Sequence, residues 1–301
     1  MNSIFKLMIL AFLPVISGCE QHAKKPEIKN KQPEPEVVKR IRENELVFNS
    51  ADPKELLGRL FDNPEFDAAG MALWKPNYYE RLSFPVSYDG KCHTAVDTVM
   101  YYNDRQNRKC AVVILTTYKY YKDESDSTSI TVSDCHFCGV PIGIALLARV
   151  KNNQWELYKF EKAFTTLGYF GVYKTGREDA GKISLKTIGD QWTCLSLIQG
   201  VGGNMGEFSG SESLYSVEEF QLGGFPNAVL SEILNYDYHF EYTSIDEKTK
   251  ERTDVKMKII KKKKEYYDIE LNKVSNGQST STVLSYSEEY NRYIEKQAGD
   301  K

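Results

Sequence analysis

The sequence predicts a mainly β protein made of antiparallel hairpins and meanders, with a short helical segment at the N-terminal end of its folded part. A β-dominated α+β fold is the alternative. Three observations point this way. From Arg81 onward, apolar residues alternate with polar ones, and turn residues recur between the short runs. The 20 Tyr and 14 Phe among 301 residues suit half-buried sheet faces. The clearest helical stripe, Leu56, Leu57, Leu60 and Phe61, comes before the alternation begins.

Taken in order, the folded part starts at about residue 46. Ser50 or Asp52 can cap a helix, Pro53 suits its first position, and Pro64 stops it. Phe66 to Trp74 reads as a second short helix before Pro76. An apolar stripe of this kind packs a helix against a sheet. The run SFPVSY leads to a turn at Asp89-Gly90, and CHTAVDTVMYY (92–102) and CAVVILTTYKYY (110–121) are strands joined by NDRQNRK. An acidic loop, KDESDS, precedes a strand in TSITVSD. IGIALLARV, the turn KNNQ and WELYKF form the next hairpin. Residues 164–181 read as irregular. KISLKTI, Gly189-Asp190 and QWTCLSLI pair next, and GVGGNMGEFSGSE reads as a loop. Asn227 to Asn235 is expected to be a short helix. DYHFEYTSI, TDVKMKII, KKKKEYYDIEL and STSTVLSYS form a closing meander with a turn at Asn276-Gly277, and EEYNRYIEKQAGDK ends the chain as a helix. No solenoid-like period stands out. The glycine-rich stretch 222–227 suggests a division into a main domain, 46–225, and a C-terminal meander, 226–301.

Hydrophobic residues make up 41% and charged residues 27% of the chain, as in ordinary globular proteins. Residues 1–18 contain Lys6 and no acid. The remainder therefore has one basic residue fewer than the chain's 39, against all 42 acidic ones, a net of -4. That balance favours solubility and argues against a nucleic-acid partner.

The first residues have a different logic. Lys6 is followed by an apolar run, Leu7 to Ile16, broken only by Pro14, and then by Ser17-Gly18-Cys19. This order reads as a secretory signal whose apolar run is too short to cross a bilayer. With a cysteine placed directly after the small pair, it resembles the lipobox of bacterial lipoproteins. That resemblance implies cleavage before Cys19 and acylation of its thiol and often its new amino group, so that Cys19 anchors the protein in a lipid bilayer. In that family an Asp after the cysteine marks retention at the inner membrane. Glu20 stands there instead, which implies the cell outer membrane if the cell is Gram-negative. Residues 19–45 hold Lys, Glu, Gln and Pro with little that is apolar, and read as a disordered, partly polyproline-II tether.

With Cys19 lipidated, five of the six cysteines are left, an odd number in an oxidising compartment. Asp134-Cys135-His136-Phe137-Cys138-Gly139 is the sharpest interior motif. Its C-x-x-C pair can close a disulfide, exchange thiols or supply half a zinc site. Cys92 and His93 are the nearest candidates to complete a bridge or a metal site with Cys135, His136 and Cys138. Pro141 and a strand follow the motif, so the helix that activates a thioredoxin-like thiol is missing, and a structural disulfide is the leading reading. Cys110 and Cys194 fall in apolar strands and read as buried thiols. GVGGNMG lacks the third glycine of a dinucleotide loop, and GEFSG misses the nucleophile-elbow spacing by one residue. The lysines at 256, 258 and 261–264 suit guarding of a strand edge more than lipid headgroups. The Tyr pairs (78–79, 101–102, 120–121, 266–267) read mainly as cross-strand packing, with a glycan platform as the alternative, because neighbours on a strand face opposite ways.

The sequence thus leads to an envelope lipoprotein whose β-rich domain binds or scaffolds another envelope protein or a glycan. No catalytic residue or cofactor is indicated. A thiol-redox or zinc-binding role centred on Cys135 and Cys138 is the alternative.

Overall fold

The computed structural model describes residues 46–122, 130–132, 139–167, 181–202, 207–217, 230–243, 250–261 and 265–296. All of them belong to one unit, residues 40–301. The fold is mainly β, with two large antiparallel sheets and a short α-helix, as the alternating pattern predicts.

The helix, α1 (Pro53–Leu60), forms where the stripe placed it. The Asp52 carboxylate accepts from the amides of Lys54 at 3.0 Å and Glu55 at 3.3 Å, and Pro53 opens the first turn. Asp62 and Asn63 follow with φ of 56° and 55°, which ends the helix. Residues 66–74 do not continue as a second helix. They form β2 (Glu65–Phe66) and β3 (Ala72–Trp74), with β1 (Val47–Phe48) ahead of α1. Local turn chemistry overrides the helical spacing. Asp67 accepts from the amides of Ala69 and Met71, both at 2.9 Å, and Gly70 has φ 79°.

Two predicted hairpins form the centre of the first sheet. β4 (Cys92–Asn103) and β5 (Lys109–Tyr118) are joined by a turn in which Asp104 accepts from the amides of Gln106 and Arg108. β6 (Tyr120–Lys122) and β7 (Ile130–Val132) pair as a separate small ladder. β8 (Val140–Arg149) and β9 (Trp155–Leu167) meet across a turn with Asn152 and Asn153 at positive φ. The seven strands run in the order β1-β9-β8-β5-β4-β3-β2.

β5 shows why its sequence is an almost unbroken apolar run. Ala111, Val113 and Leu115 pack with α1, while Val112 and Ile114 pack with residues of the second sheet. A strand covered on both faces has no polar side to show in its sequence. Full burial of each such aliphatic side chain stabilises by about 1.5–3 kcal/mol.

The second sheet is an eight-stranded meander of β10 (Ile183–Gly189), β11 (Trp192–Gly202), β12 (Glu207–Ser216), β13 (Ser231–Thr243), β14 (Lys250–Ile260), β15 (Asp268–Ser275), β16 (Gln278–Ser287) and β17 (Arg292–Glu295), in that order. Leu195 and Leu197 face the first sheet. Cys194, Trp192, Leu214, Leu234, Ile269, Leu284 and Tyr293 fill the core of the opposite face. With Ile188 of β10, buried residues from seven strands meet in that core, so the sheet wraps around it.

Three expectations are corrected in this sheet. Within the glycine-rich stretch 200–212, β11 runs on to Gly202 and β12 starts at Glu207. Of the helix expected at 227–235, the described residues 231–235 instead begin β13, which pairs with β12 from Ser231. Within the C-terminal stretch expected as a helix, the described residues form β17, where Tyr293 is buried and donates to the Tyr267 carbonyl at 2.9 Å. In each case long-range pairing outweighs a weak local preference. The change from one sheet to the other falls between Leu167 and Ile183; residues 222–227, where the sequence suggested a boundary, lie outside the described residues. Among the described residues, no helix is long and apolar enough to cross a membrane.

Candidate functional site

An open polar recess forms where the β4–β5 turn of the first sheet reaches the β10–β11 corner of the second. It begins with Gly189. A Cβ on this residue would lie 2.0 Å from the Glu265 carbonyl oxygen, so glycine lets the 265–267 segment close on the corner. The Tyr267 amide then donates to the Ile188 carbonyl at 2.8 Å, and the Tyr267 hydroxyl to Asp190 at 2.8 Å.

This contact assembles an aromatic group. Trp192, only 1% exposed, meets Tyr266 edge-on at 4.2 Å and Tyr286 at 5.1 Å, and Tyr266 stacks on Tyr286 at 4.2 Å. Arg105 closes one side. Its guanidinium carbon lies 4.7 Å from the Trp192 ring centre and 5.6 Å from that of Tyr266. Its Nη2 donates to the Tyr266 hydroxyl at 3.1 Å and pairs with Glu265. Burial raises the Tyr266 hydroxyl above its ordinary pKa, against the lowering effect of Arg105. The resulting cleft, about 300 Å3, is lined by Arg105, Asp190, Gln191, Trp192 and Glu265.

A second polar cluster is sealed. Glu212, 4% exposed, accepts from Ser196, Tyr236 and Lys186, which come from β11, β13 and β10. Burial works against its charge, but these donors outweigh burial and hold the carboxyl below its usual pKa. With its oxygens engaged by three side chains, this group is built to hold strands together.

The residues picked out from sequence are spread over different environments. Cys92 and His93 point to opposite faces, as adjacent strand residues must. Cys92 is a buried thiol in the α1-side core, its Sγ 3.6 Å from the Pro85 carbonyl, and burial pushes its pKa up to about 12. His93, 8% exposed, lies between Asp67 (Nδ1 at 3.4 Å) and Asp89 (Nε2 at 3.1 Å), with the Tyr120 ring 5.0 Å away. Among the described residues, no three His, Cys, Asp or Glu side chains are grouped so as to hold a metal ion. Cys19, Cys135, His136 and Cys138 lie outside the described residues. Cys110 and Cys194 are buried. Ser209 of GEFSG lies within β12, where there is no strand-to-helix elbow.

Of the cleft, the two turns and the Tyr266–Tyr267 pair were legible in the sequence. Tyr266 faces Arg105 and Trp192, while Tyr267 reaches Asp190. Arg105, Trp192 and Glu265 carried no local signal, because they meet only across the two sheets. Compared with protein-family models, curated proteins and solved structures, the chain matches none.

Proposed function

We propose that this chain is a lipid-anchored envelope protein whose β-sheet body binds another envelope component at the Arg105–Trp192 cleft, without catalysing a reaction. One observation carries the binding role. The polar groups of Glu212 are sealed against one another, whereas Arg105, Asp190, Gln191 and Glu265 are exposed around an aromatic floor. A concave site with an apolar base and a few convergent polar groups is the usual form of a ligand site. The anchor is supported by the sequence order Lys6, Leu7 to Ile16, Ser17-Gly18-Cys19. Acyl chains on Cys19 would hold the body to an outer-membrane surface through the 19–45 tether.

Metabolic labelling with a palmitate analogue tests the anchor: label and membrane fractionation should both be lost in Cys19→Ala. An unlabelled wild-type chain, or a variant that still fractionates with membranes, overturns it. A photo-crosslinking side chain at Gln191 tests the binding role. A discrete adduct that disappears in Arg105→Ala supports it, and the absence of any site-dependent adduct overturns it.

A further inference from the structure

We infer that the cleft takes a neutral, polyhydroxylated ligand, a stretch of glycan chain. The inference rests on the binding role proposed above and concerns the ligand's chemistry.

Charge narrows the ligand first. Arg105 is paired with Glu265, and among the described residues Asp190 is the charge of the lining without an ion pair. A phosphate or carboxylate would meet Asp190 and would have to displace Glu265 from Arg105. A metal cation would find Asp190 already accepting from Tyr267 and Glu265 held by Arg105. Neither charged class is matched.

The shape of the polar groups narrows it further. Carboxylate, carboxamide and guanidinium are planar, two-pronged groups, and together they offer both donors and acceptors. Vicinal hydroxyls present donors and acceptors at the matching spacing. The floor supplies the other half of sugar recognition. Trp192, with the Arg105 guanidinium over its ring, forms the apolar side of the cleft, against which the C–H face of a pyranose ring can lie. The volume, about 300 Å3, is at the lower end for small-molecule sites. It suits a short length of chain better than a large folded partner. Gly189, Tyr267 and the Tyr286 stack fix the wall before any ligand arrives, so little ordering is needed on binding.

The test uses the full chain purified in a sugar-free zwitterionic detergent and titrated with chitotetraose, cellotetraose and maltotetraose. Tryptophan fluorescence and saturation-transfer NMR report binding. At least one oligosaccharide should bind saturably, and Gln191→Ala and Asp190→Ala, checked by circular dichroism for an intact fold, should each weaken it by about tenfold, the loss of one charged or well-placed hydrogen bond. Preference for chitotetraose assigns an amino-sugar polymer; preference for the other two assigns a plain hexose chain. Saturable binding of inorganic phosphate, no saturable binding of any oligosaccharide, or binding indifferent to both substitutions overturns the glycan assignment. Those results leave the Gln191 crosslink unaffected, so failure of the ligand class is distinguishable from failure of the binding role.

Discussion

The Tyr236 hydroxyl of β13 donates to the carboxylate of Glu212 on β12, a side chain that is 4% exposed and also takes Ser196 and Lys186. Four consecutive strands are thus tied at one buried carboxylate. Removing it strands three polar partners. Glu212→Ala is expected to lower stability by about 1–3 kcal/mol, the usual cost of leaving buried hydrogen-bonding groups without their partner. Urea denaturation followed by circular dichroism measures it, and a loss under 1 kcal/mol would show that the cluster is dispensable.

The same carboxylate sets a pH dependence. Its folded pKa lies below the ordinary glutamate value of 4.5. A depressed acid contributes stability that is fully present above its unfolded pKa and is lost as pH falls through the folded one. Glu212→Gln should therefore cost most at pH 7, and the gap to wild type should narrow below about pH 4. A gap that stays constant between pH 7 and pH 3 would contradict the arrangement.

Gly189 gives a sharper geometric test. A methyl group there would meet the Glu265 backbone oxygen at 2.0 Å, and backbone cannot rotate away as a flexible side chain can. Gly189→Ala should destabilise by about 1–3 kcal/mol, the range for overpacking, and should also shift the Trp192 emission. Wild-type stability with unchanged emission would mean that the 265–267 segment does not close on this corner.

Cys92 and Cys194 should resist alkylation. Burial raises both thiols to about pKa 12, and the reactive species is the thiolate. Iodoacetamide at pH 8, followed by peptide mass spectrometry, should leave both unmodified in the native protein and label both in guanidinium. Rapid native labelling of Cys92 would place it outside the core.

The lysines of β14 make a prediction about association. Among the described residues, β13 pairs with β14 from His239↔Asp254 to Thr243↔Lys250, while β14 continues beside β15 to Ile260. Val255–Ile260 is therefore unpaired in the ladder on its β13 side, and the exposed Lys256 and Lys258 stand on that stretch. Charged side chains on such a stretch discourage pairing with another chain. Lys256→Val combined with Lys258→Val should raise aggregation at equal concentration, read by light scattering.

Much of the fold was legible where local and global preferences agree. Asp52-Pro53 began α1 as read, and the turns at 103–109 and 151–154 closed their hairpins because Asp104, Asn152 and Asn153 carry the needed turn chemistry. Reading failed where the local signal was weak. Phe66 to Trp74 has helical spacing, yet Asp67 and Gly70 fold it into a hairpin. The chain end around Tyr293 looked helical, yet β16 offered a strand edge and the core a place for its ring.

The sequence alone determined the β-rich class, the position of α1 and most of the hairpin turns, because these depend on neighbours within a few residues. Only the tertiary structure decided that the first sheet would be covered on both faces, that the second would wrap around its own core, and that Arg105 would lie over Trp192 with Glu265 beside it. Those groups are far apart along the chain and carry no shared local pattern. They meet where Trp192 is buried against Tyr266 and Tyr286, which takes their apolar faces out of water.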